Sequence, residues 1–353
     1  MSAGARRAEP QVQTVTGPIA ASALGNTLIH EHLMVNLRCY WSPSDDPEIA
    51  FLPLAPERLG RIKANPFGVR DNLLIDEPPV MAGELRRYRE AGGATIVDAT
   101  PPGLGRDVRV LEWLAAQTGL NLIAGCGYYI KETHPPGTGS RSVDDLAAEM
   151  INDITVGMDG TDLRAGVIGE IGMGTFPMDP VERKVLRAAA IAQQETGCAI
   201  IAHSAPGDES PFEVLGVLAE AGADLTRVVQ SHLDDRFRTD IDKYRRVADM
   251  GANLGMDTFG RHLYYQGRRR QLPTDDVRVS AIVSLIEAEL VDHIFPAQDI
   301  CFKHELGTYG GHGYDHFIRR IVPRLRLSGV SAREIDRILR LNPARVLSGH
   351  AAE

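Results

Sequence analysis

The sequence predicts a single (β/α)8 barrel of the α/β class, and three observations carry this prediction. Eight short apolar runs alternate, for the most part, with stretches whose apolar residues have helical spacing, a pattern that favours a parallel sheet. The chain has 353 residues, a length that α/β barrels reach as one domain. Polar residues also lie near the C-terminal ends of the apolar runs, which in a barrel form the mouth that carries the active site.

The predicted strands are, in chain order, residues 27–35, 94–100, 120–129, 165–172, 199–204, 227–235, 252–260 and 293–300. An open, doubly wound sheet is the alternative for the same pattern of strands and helices. The first strand is not followed by the glycine-rich fingerprint of dinucleotide-binding sheets, which weakens that alternative and argues against a dehydrogenase.

Helices are predicted between the strands, among them residues 107–116, 181–196, 211–221 and 275–290. Glycines follow several of the predicted helices, as expected of residues that end a helix: Gly92, Gly119, Gly197 and Gly251. Residues 316–348 are predicted to form two more helices, the second with Ser331 as its N-cap.

We interpret residues 1–353 as one domain with two irregular segments. Residues 1–11 are expected to be flexible. Residues 41–79, which follow the first strand, are rich in Pro and Asn and too long for a simple turn. Long loops after barrel strands are usually functional.

Composition and charge restrict the possible partners. The chain is 43% hydrophobic and carries a net charge of −9, which argues against general binding to nucleic acid or anionic membranes and favours a small-molecule substrate. Four cysteines without CxxC spacing predict neither a disulfide framework nor a cysteine zinc site. With no apolar run of roughly 18 residues and no signal peptide, the expected location is the cytoplasm.

The run TLIHEHLMV, residues 27–35, places two histidines one residue apart, His30 and His32. Alternate side chains of a strand point to the same face, so both imidazoles are expected on the inward face. Other residues of the metal-ligating types lie near the C-terminal ends of four further predicted strands: Glu170, His203, His232 and Asp299. In a barrel these ends converge, and the six side chains would meet in one pocket.

Four imidazoles and two carboxylates suit divalent transition-metal ions, zinc first and cobalt, manganese or iron as alternatives. Six ligands exceed the needs of one tetrahedral zinc ion but suit two ions with a bridging carboxylate, for which Glu170 is the natural candidate. Each residue alone could be an ordinary buried polar group, and Asp98 in the second strand is interpreted as a buried ion-pair partner. Residues of this type occur in five separate strands, however, and buried charged groups need partners. A shared metal site accounts for all of them together.

The motifs TLIHEHL, VIGEIG, AHS, QSHLDD and QDI, with GGHGYDHF (310–317) and NPARVL (342–347) after them, resemble the phosphotriesterase family of the amidohydrolase superfamily. The resemblance is greatest to its phosphotriesterase-related branch and covers about residues 12–348. It implies a more buried metal ion held by His30, His32 and Asp299, and a more exposed one held by His203 and His232. Members of this family are often homodimers, so a homodimer is expected.

Two positions depart from the family pattern. Glu170 stands where the fastest phosphotriesterases have a carboxylated lysine, as in the phosphotriesterase-related branch. Thr258 stands where family members often have His or Arg, which puts a proton relay through this position in doubt.

The resemblance implies that a metal-bridging hydroxide attacks an electrophilic centre and that Asp299 takes the proton. Glu170 in place of lysine favours a carboxylic ester, a lactone or an N-acyl amide as substrate. Phosphotriesterase activity on organophosphates is the alternative. A metal-containing binding protein without catalysis is a further alternative.

Four residues are predicted to contact the substrate. Tyr129 matches a position where related lactonases have a tyrosine near the metal ions, and its alternative role is to cover the barrel mouth. Arg261 and His262 follow the seventh strand and Lys303 follows the eighth, in loops that line the entrance of a barrel pocket. Their positive charge would suit a carboxylate, sulfonate or phosphate on the substrate, with a solvated loop face as the alternative.

Overall fold

The computed structural model describes residues 9–43, 47–265 and 270–348, and it confirms the predicted (β/α)8 barrel. One sheet contains eight strands in chain order: β1 (Thr27–Glu31), β2 (Thr95–Asp98), β3 (Asn121–Cys126), β4 (Val167–Ile171), β5 (Ala199–Ala202), β6 (Val228–Gln230), β7 (Asn253–Met256) and β8 (Ile294–Pro296). Each strand from β1 to β7 pairs in parallel with the next. All eight C-terminal strand ends therefore lie at the same end of the barrel.

The barrel closes between β8 and β1 through the segment that follows β8. The N–H of Asp299 donates to the carbonyl oxygen of His30 at 3.3 Å. The buried carboxylate of Glu31 accepts the N–H groups of Gln298 at 2.7 Å and Ile300 at 2.9 Å. A side chain thus takes over hydrogen bonds that a strand ladder would make, and it holds Asp299 beside His30.

The helices of the described chain are α1 (Leu59–Ala64), α2 (Pro78–Glu90), α3 (Val108–Thr118), α4 (Val143–Thr155), α5 (Pro180–Thr196), α6 (Ser210–Glu220), α7 (Leu233–Arg236), α8 (Ile241–Asp249), α9 (Asp275–Glu287), α10 (Val322–Leu327), α11 (Ala332–Asp336) and α12 (Asn342–Leu347). Wider π-helical turns, Phe317–Ile321 and Arg337–Leu341, precede α10 and join α11 to α12. Short antiparallel pairs form between Gln11–Thr14 and Gly17–Ala20, Val35–Asn36 and Leu74–Ile75, and Tyr264–Tyr265 and Arg270–Gln271. In the described residues, no helix combines the length and the apolar character that a membrane crossing requires.

Successive strand residues pack into two different cores, as alternation along a strand requires. Val97 and Ile201 belong to a compact cluster inside the barrel, which the N-terminal hairpin joins through Val12. Their neighbours Ile96 and Ile200 belong to the larger core between strands and helices. Both faces of the sheet are covered, which is the usual state of a parallel sheet.

Several boundaries differ from the predicted ones. The predicted strands 27–35 and 227–235 were too long, because β1 ends at Glu31 and residues 233–236 form α7. Residues 1–8, most of the segment expected to be flexible, lie outside the described residues, whereas Gln11 begins a strand. The predicted loop 41–79 contains α1, the start of α2 and a short strand, and its residues 44–46 lie outside the description.

The predicted helices agree with the structure more closely. The prediction 181–196 corresponds to Pro180–Thr196, and 211–221 to Ser210–Glu220. Ser331 is the N-cap of α11, where its hydroxyl accepts the N–H of Glu334 at 3.2 Å. Cap residues are strong local signals, which explains why helix ends were predicted better than strand ends.

Candidate metal centre and cavity

The six predicted ligand residues lie together at the C-terminal ends of the strands. His30 and Glu170 belong to β1 and β4, whereas His32, His203, His232 and Asp299 lie just beyond the ends of β1, β5, β6 and β8. The ligand atoms of five of them form two groups that share His30: His30, Glu170 and His232 in one, and His30, His32 and Asp299 in the other. His203 belongs to neither group, but its Nδ1 lies 3.0 Å from Nε2 of His232. Within each group the ligand atoms lie within 4.8 Å of one another.

The Glu170 carboxylate, a member of the first group, also lies near the second. Its Oε1 is 2.9 Å from Nδ1 of His203 and 3.4 Å from Nε2 of His30. Its Oε2 is 3.9 Å from Nε2 of His32. Oε1 therefore faces His30, His203 and His232, whereas Oε2 faces His32. The carboxylate thus contacts residues of both ligand groups.

The backbone before Glu170 explains why this side chain points inward. The pairing of β4 with β5 shifts register between Ile168 and Ile171. Gly169 has a φ of +130°, and a Cβ there would lie 2.3 Å from the carbonyl oxygen of Ile201. Only glycine fits such a close approach of two backbones. The VIGEIG motif is therefore a local requirement for the orientation of Glu170.

Sequence analysis missed Asp257, which directly follows β7 and orients two of the histidines. Its Oδ2 accepts a hydrogen bond from Nδ1 of His30 at 2.8 Å. Its Oδ1 accepts from Nδ1 of His232 at 2.9 Å and from the N–H of His232 at 2.7 Å. Burial alone would raise the pKa of Asp257, but the two histidines outweigh it and hold this pKa far below its usual value. The available signal was an acidic residue at the end of the seventh strand.

Asp98 orients the third histidine through Thr100, instead of forming the ion pair that we had expected. The hydroxyl of Thr100 donates to Oδ1 of Asp98 at 2.7 Å and therefore accepts from Nδ1 of His32 at 2.9 Å. Oδ1 of Asp98 also accepts the N–H of Leu33 at 3.0 Å. Burial raises the pKa of Asp98 to about 6.

This donor set fits a divalent transition-metal ion. Nδ1 of His30, His32 and His232 is occupied by a second residue, which leaves Nε2 of each ring with a lone pair toward the cluster. Nε2 of His30 is fully buried and has no hydrogen-bond partner within the described part of the chain. An unpaired buried nitrogen is unfavourable, and a metal ion would satisfy it.

The pKa values of the cluster reflect burial and the close packing of imidazoles and carboxylates. Burial acts to raise the pKa of Glu170, but neighbouring histidines outweigh it and lower the pKa well below its usual value. Burial lowers the pKa of His203 to about 4. The Glu170 carboxylate is therefore ionised and His203 is neutral at pH 7. For His30 and His232, burial acts to lower the pKa, but the carboxylates of Glu170 and Asp257 outweigh it and raise the pKa of His232 to about 9 and that of His30 well above its usual value. A bound metal ion would displace the protons of these two rings.

A cavity of about 410 Å³ opens over the cluster. Two of the four predicted substrate residues, Tyr129 and Arg261, are among the residues that line it. The hydroxyl of Tyr129 accepts from that of Tyr40 at 2.9 Å and lies 3.5 Å from Nε2 of His203. Tyr129 is thus placed between the cluster and the cavity.

The other two predicted substrate residues, His262 and Lys303, are absent from the described lining of this cavity. The Lys303 ammonium lies 2.9 Å from Oδ1 of Asp71 and 3.1 Å from Oε1 of Glu77. The His262 ring is half-exposed, 3.5 Å from a carboxylate oxygen of Asp275. Both side chains are turned toward acidic partners outside the cavity lining, so we do not assign them to substrate binding.

Comparison with known proteins decides the family. The model of the phosphotriesterase family matches residues 10–347. The chain belongs to the phosphotriesterase family. The resemblance seen in the motifs is thereby confirmed, and the family together with its named relatives identifies the chain as a hydrolase.

Three relatives illustrate how this phosphotriesterase-family chain is related to characterised proteins. N-acetyltaurine hydrolase of Rattus norvegicus is 40% identical over 343 residues, which cover 96% of this chain and 98% of the relative. A resiniferatoxin-binding protein from Rhodobacter sphaeroides has 36% identity and a TM-score of 0.92, with 96% and 95% of the two chains covered. A phosphotriesterase homology protein from Escherichia coli, complexed with phosphate in its active site, has 29% identity and a TM-score of 0.76, with 92% and 99% covered.

The departure from the family pattern at Thr258 has a structural counterpart. The Thr258 hydroxyl donates to Oδ2 of Asp234 at 2.6 Å, and it accepts from the buried Arg278 guanidinium at 2.9 Å. The Thr258 hydroxyl therefore hydrogen-bonds to Asp234 and Arg278 rather than to the residues of the cluster. Arg261, three residues later, contacts Asp299 instead, with Nη1 donating to Oδ2 at 2.8 Å.

Proposed function

We propose that this protein hydrolyses N-acyl amides with the help of two divalent transition-metal ions, zinc being the first choice and cobalt, manganese or iron the alternatives. The observation that carries the proposal is the pair of ligand groups that share His30, with the Glu170 carboxylate of the first group 3.9 Å from His32 of the second. An amide substrate is supported by the relatives named N-acetyltaurine hydrolase, which match almost the whole chain. A carboxylic ester or a lactone would require the same site.

Different residues would bind the two ions. His30, His32 and Asp299 would hold one ion, His203 and His232 the other, with Glu170 shared. Two such ions, when bound, lower the pKa of a water molecule and polarise the carbonyl oxygen of the substrate. Asp257 and Thr100 keep the histidine rings in the ligating orientation through their hydrogen bonds to Nδ1.

Asp299 is the proposed proton acceptor. Its Oδ1 lies 3.2 Å from Nε2 of His32 and faces the ligand group, whereas Oδ2 is held by Arg261. The carboxylate would take a proton from the attacking water and deliver it to the departing amine. Arg261 keeps this carboxylate ionised before the reaction begins.

Tyr129 is the proposed donor that orients the substrate carbonyl. Because its oxygen accepts from Tyr40, the phenol proton of Tyr129 remains available to a group in the cavity. Burial raises the pKa of Tyr129 well above its usual value, so the phenol stays protonated. A protonated phenol can donate to a carbonyl oxygen in the cavity.

The test is elemental mass spectrometry of the purified, unsupplemented protein, followed by assays of N-acetyltaurine, a lactone and an aryl phosphotriester. We expect about two transition-metal ions per chain and the highest kcat/KM on the amide. A metal content near zero that persists after reconstitution would contradict the proposal. A dominant rate on the phosphotriester would favour the alternative activity.

A metal-containing binding protein without catalysis is the second candidate. The Rhodobacter relative, with 36% identity, is named for binding rather than for hydrolysis. Full metal content without turnover of any of the three substrate classes would favour this candidate.

A further inference from the structure

The cavity has two chemically different walls. Segments that follow β1, β2 and β8 contribute Leu37, Leu104 and Phe302, which are apolar. Segments that follow β6 and β7 contribute the charged groups Asp235, Arg236 and Arg270. Since β2 and β6 lie on opposite sides of an eight-stranded barrel in this order, the two walls face each other across the metal cluster.

The charged wall has more positive than negative charge. One carboxylate, that of Asp235, serves two guanidinium groups: Nη1 of Arg236 lies 3.3 Å from Oδ2, and Nη2 of Arg270 lies 3.0 Å from Oδ1. Two cations on one anion leave an excess of one positive charge beside the cavity. A partly desolvated positive charge attracts an anionic ligand strongly.

The two arginines differ in how fully they are paired. The Arg236 side chain is 4% exposed, and it donates to the carbonyl oxygens of Ser204 and Ala205 as well as to Asp235. The Arg270 side chain is 27% exposed, and Nη2 donates to the carbonyl oxygen of Asp235 at 2.9 Å. Within the described residues, Nε and Nη1 of Arg270 have no hydrogen-bond partner. Arg270 is therefore held in place at one end and open toward the cavity.

We propose that Arg270 determines specificity by binding the anionic end, a sulfonate or a carboxylate, of an N-acyl amide, an inference that rests on the proposed function. The substrate would span the cavity, with its acyl group against the apolar wall and its anion on the guanidinium. The scissile amide would then lie over the metal cluster between the two walls. The Arg270 guanidinium suits such an anion because it is always charged and because Nε and Nη1 can still donate while Nη2 is held by Asp235.

The experiment compares two substrates of similar shape, N-acetyltaurine and the uncharged N-propylacetamide, on the metal-loaded wild type and on Arg270→Gln. We expect kcat/KM for N-acetyltaurine to fall about 10- to 100-fold, mainly through KM, since a hydrogen-bonded charge pair is lost. The value for N-propylacetamide should change less than about twofold. For N-acetyltaurine, the kcat/KM of Arg270→Lys should lie between the values of the wild type and Arg270→Gln, because lysine keeps the charge but loses the planar set of donors.

The matched control is Arg340→Gln, an exposed arginine paired with Asp336 far from the cavity lining. An equal fall for both substrates, or no change for either, would overturn the role of Arg270. The affinity of each compound is also measured by calorimetry, which needs no turnover. If the wild type cleaves no amide, the proposed function fails, whereas a preference for the anionic compound that Arg270→Gln abolishes would still support the anion site.

Discussion

Arg261 holds the carboxylate of Asp299 at the point where the barrel closes. Nη1 of Arg261 donates to Oδ2 of Asp299 at 2.8 Å, and its Nε donates to Oε1 of Glu305 at 2.7 Å. Burial alone would raise the pKa of Asp299, but Arg261 and the nearby histidines outweigh it and lower this pKa to about 2. The ion pair thus fixes both the orientation and the ionised state of the proposed proton acceptor.

Asp299→Asn should abolish turnover, because the amide can neither accept the proton nor balance the charge of the ligand group. General base catalysis contributes about 10²- to 10⁴-fold, so kcat should fall by at least that factor. Steady-state kinetics and metal content are measured together, with Asp276→Asn, whose side chain is 87% exposed, as the control. Full activity of Asp299→Asn on the best substrate would rule out this role.

Arg261→Met should destabilise the fold and slow the reaction. Removal of one partner from a buried pair leaves an uncompensated charge and costs about 3–5 kcal/mol. Denaturant unfolding gives the stability, and Arg324→Met, which removes an arginine from an exposed pair with Asp276, is the control with an expected change below about 1 kcal/mol. Equal stability of the two variants would show that Arg261 is not needed to hold Asp299.

Asp257→Asn should weaken metal binding without large loss of the fold. The amide would place a donor against Nδ1–H of either His30 or His232, so one ring would lose its orientation. Loss of such an orienting partner typically costs about 10- to 100-fold in metal affinity. Competition with a chelator measures the affinity, and Asp242→Asn on the exposed side of α8 is the control. An unchanged affinity would mean that backbone geometry alone orients the rings.

The barrel was predictable because each strand is a short apolar run and the helices between them carry clear end signals. The ends of the strands were not predictable in the same way, because the rule of alternating side chains assumes a regular ladder of hydrogen bonds between strands. The pairing of β1 with β2 shifts register between Leu28 and Glu31, and the strand ends before His32. Both histidines still reach the cluster, although His32 lies just beyond the end of β1.

The site was only partly predictable, for a similar reason. Ligand-type residues are conspicuous in apolar runs, whereas Asp257 and Thr100 act through hydrogen bonds to residues far away in the sequence. The loops were harder still. Lys303 and Arg261 both follow barrel strands and are both positive, yet Lys303 is turned toward Asp71 and Glu77 and Arg261 toward Asp299. Charge and strand order do not fix which partner a loop side chain finds.

Acid should destabilise the fold in part through His304. This buried ring lies 2.9 Å from Oδ1 of Asn72 through Nδ1, and burial lowers its pKa from 6.5 to about 3. Between these two values the unfolded chain binds a proton that the folded chain does not, so stability is full above about pH 6.5 and falls as the pH decreases toward 3. His304→Gln keeps a donor for Asn72 but cannot titrate. The difference in free energy of unfolding between wild type and variant should therefore decrease with falling pH, by at most about 1.4 kcal/mol per pH unit.

Denaturant unfolding at several pH values between 7 and 4, with both proteins in the same metal-loaded state, measures this difference. Other buried groups titrate in both proteins and cancel in the comparison, which isolates the contribution of His304. Parallel stability profiles would show that the folded protein accommodates a charged ring at this position. Movement of the surroundings of His304 would then have admitted the charge, and acid sensitivity would have to arise from other buried groups, such as the carboxylates of Asp257 and Asp299.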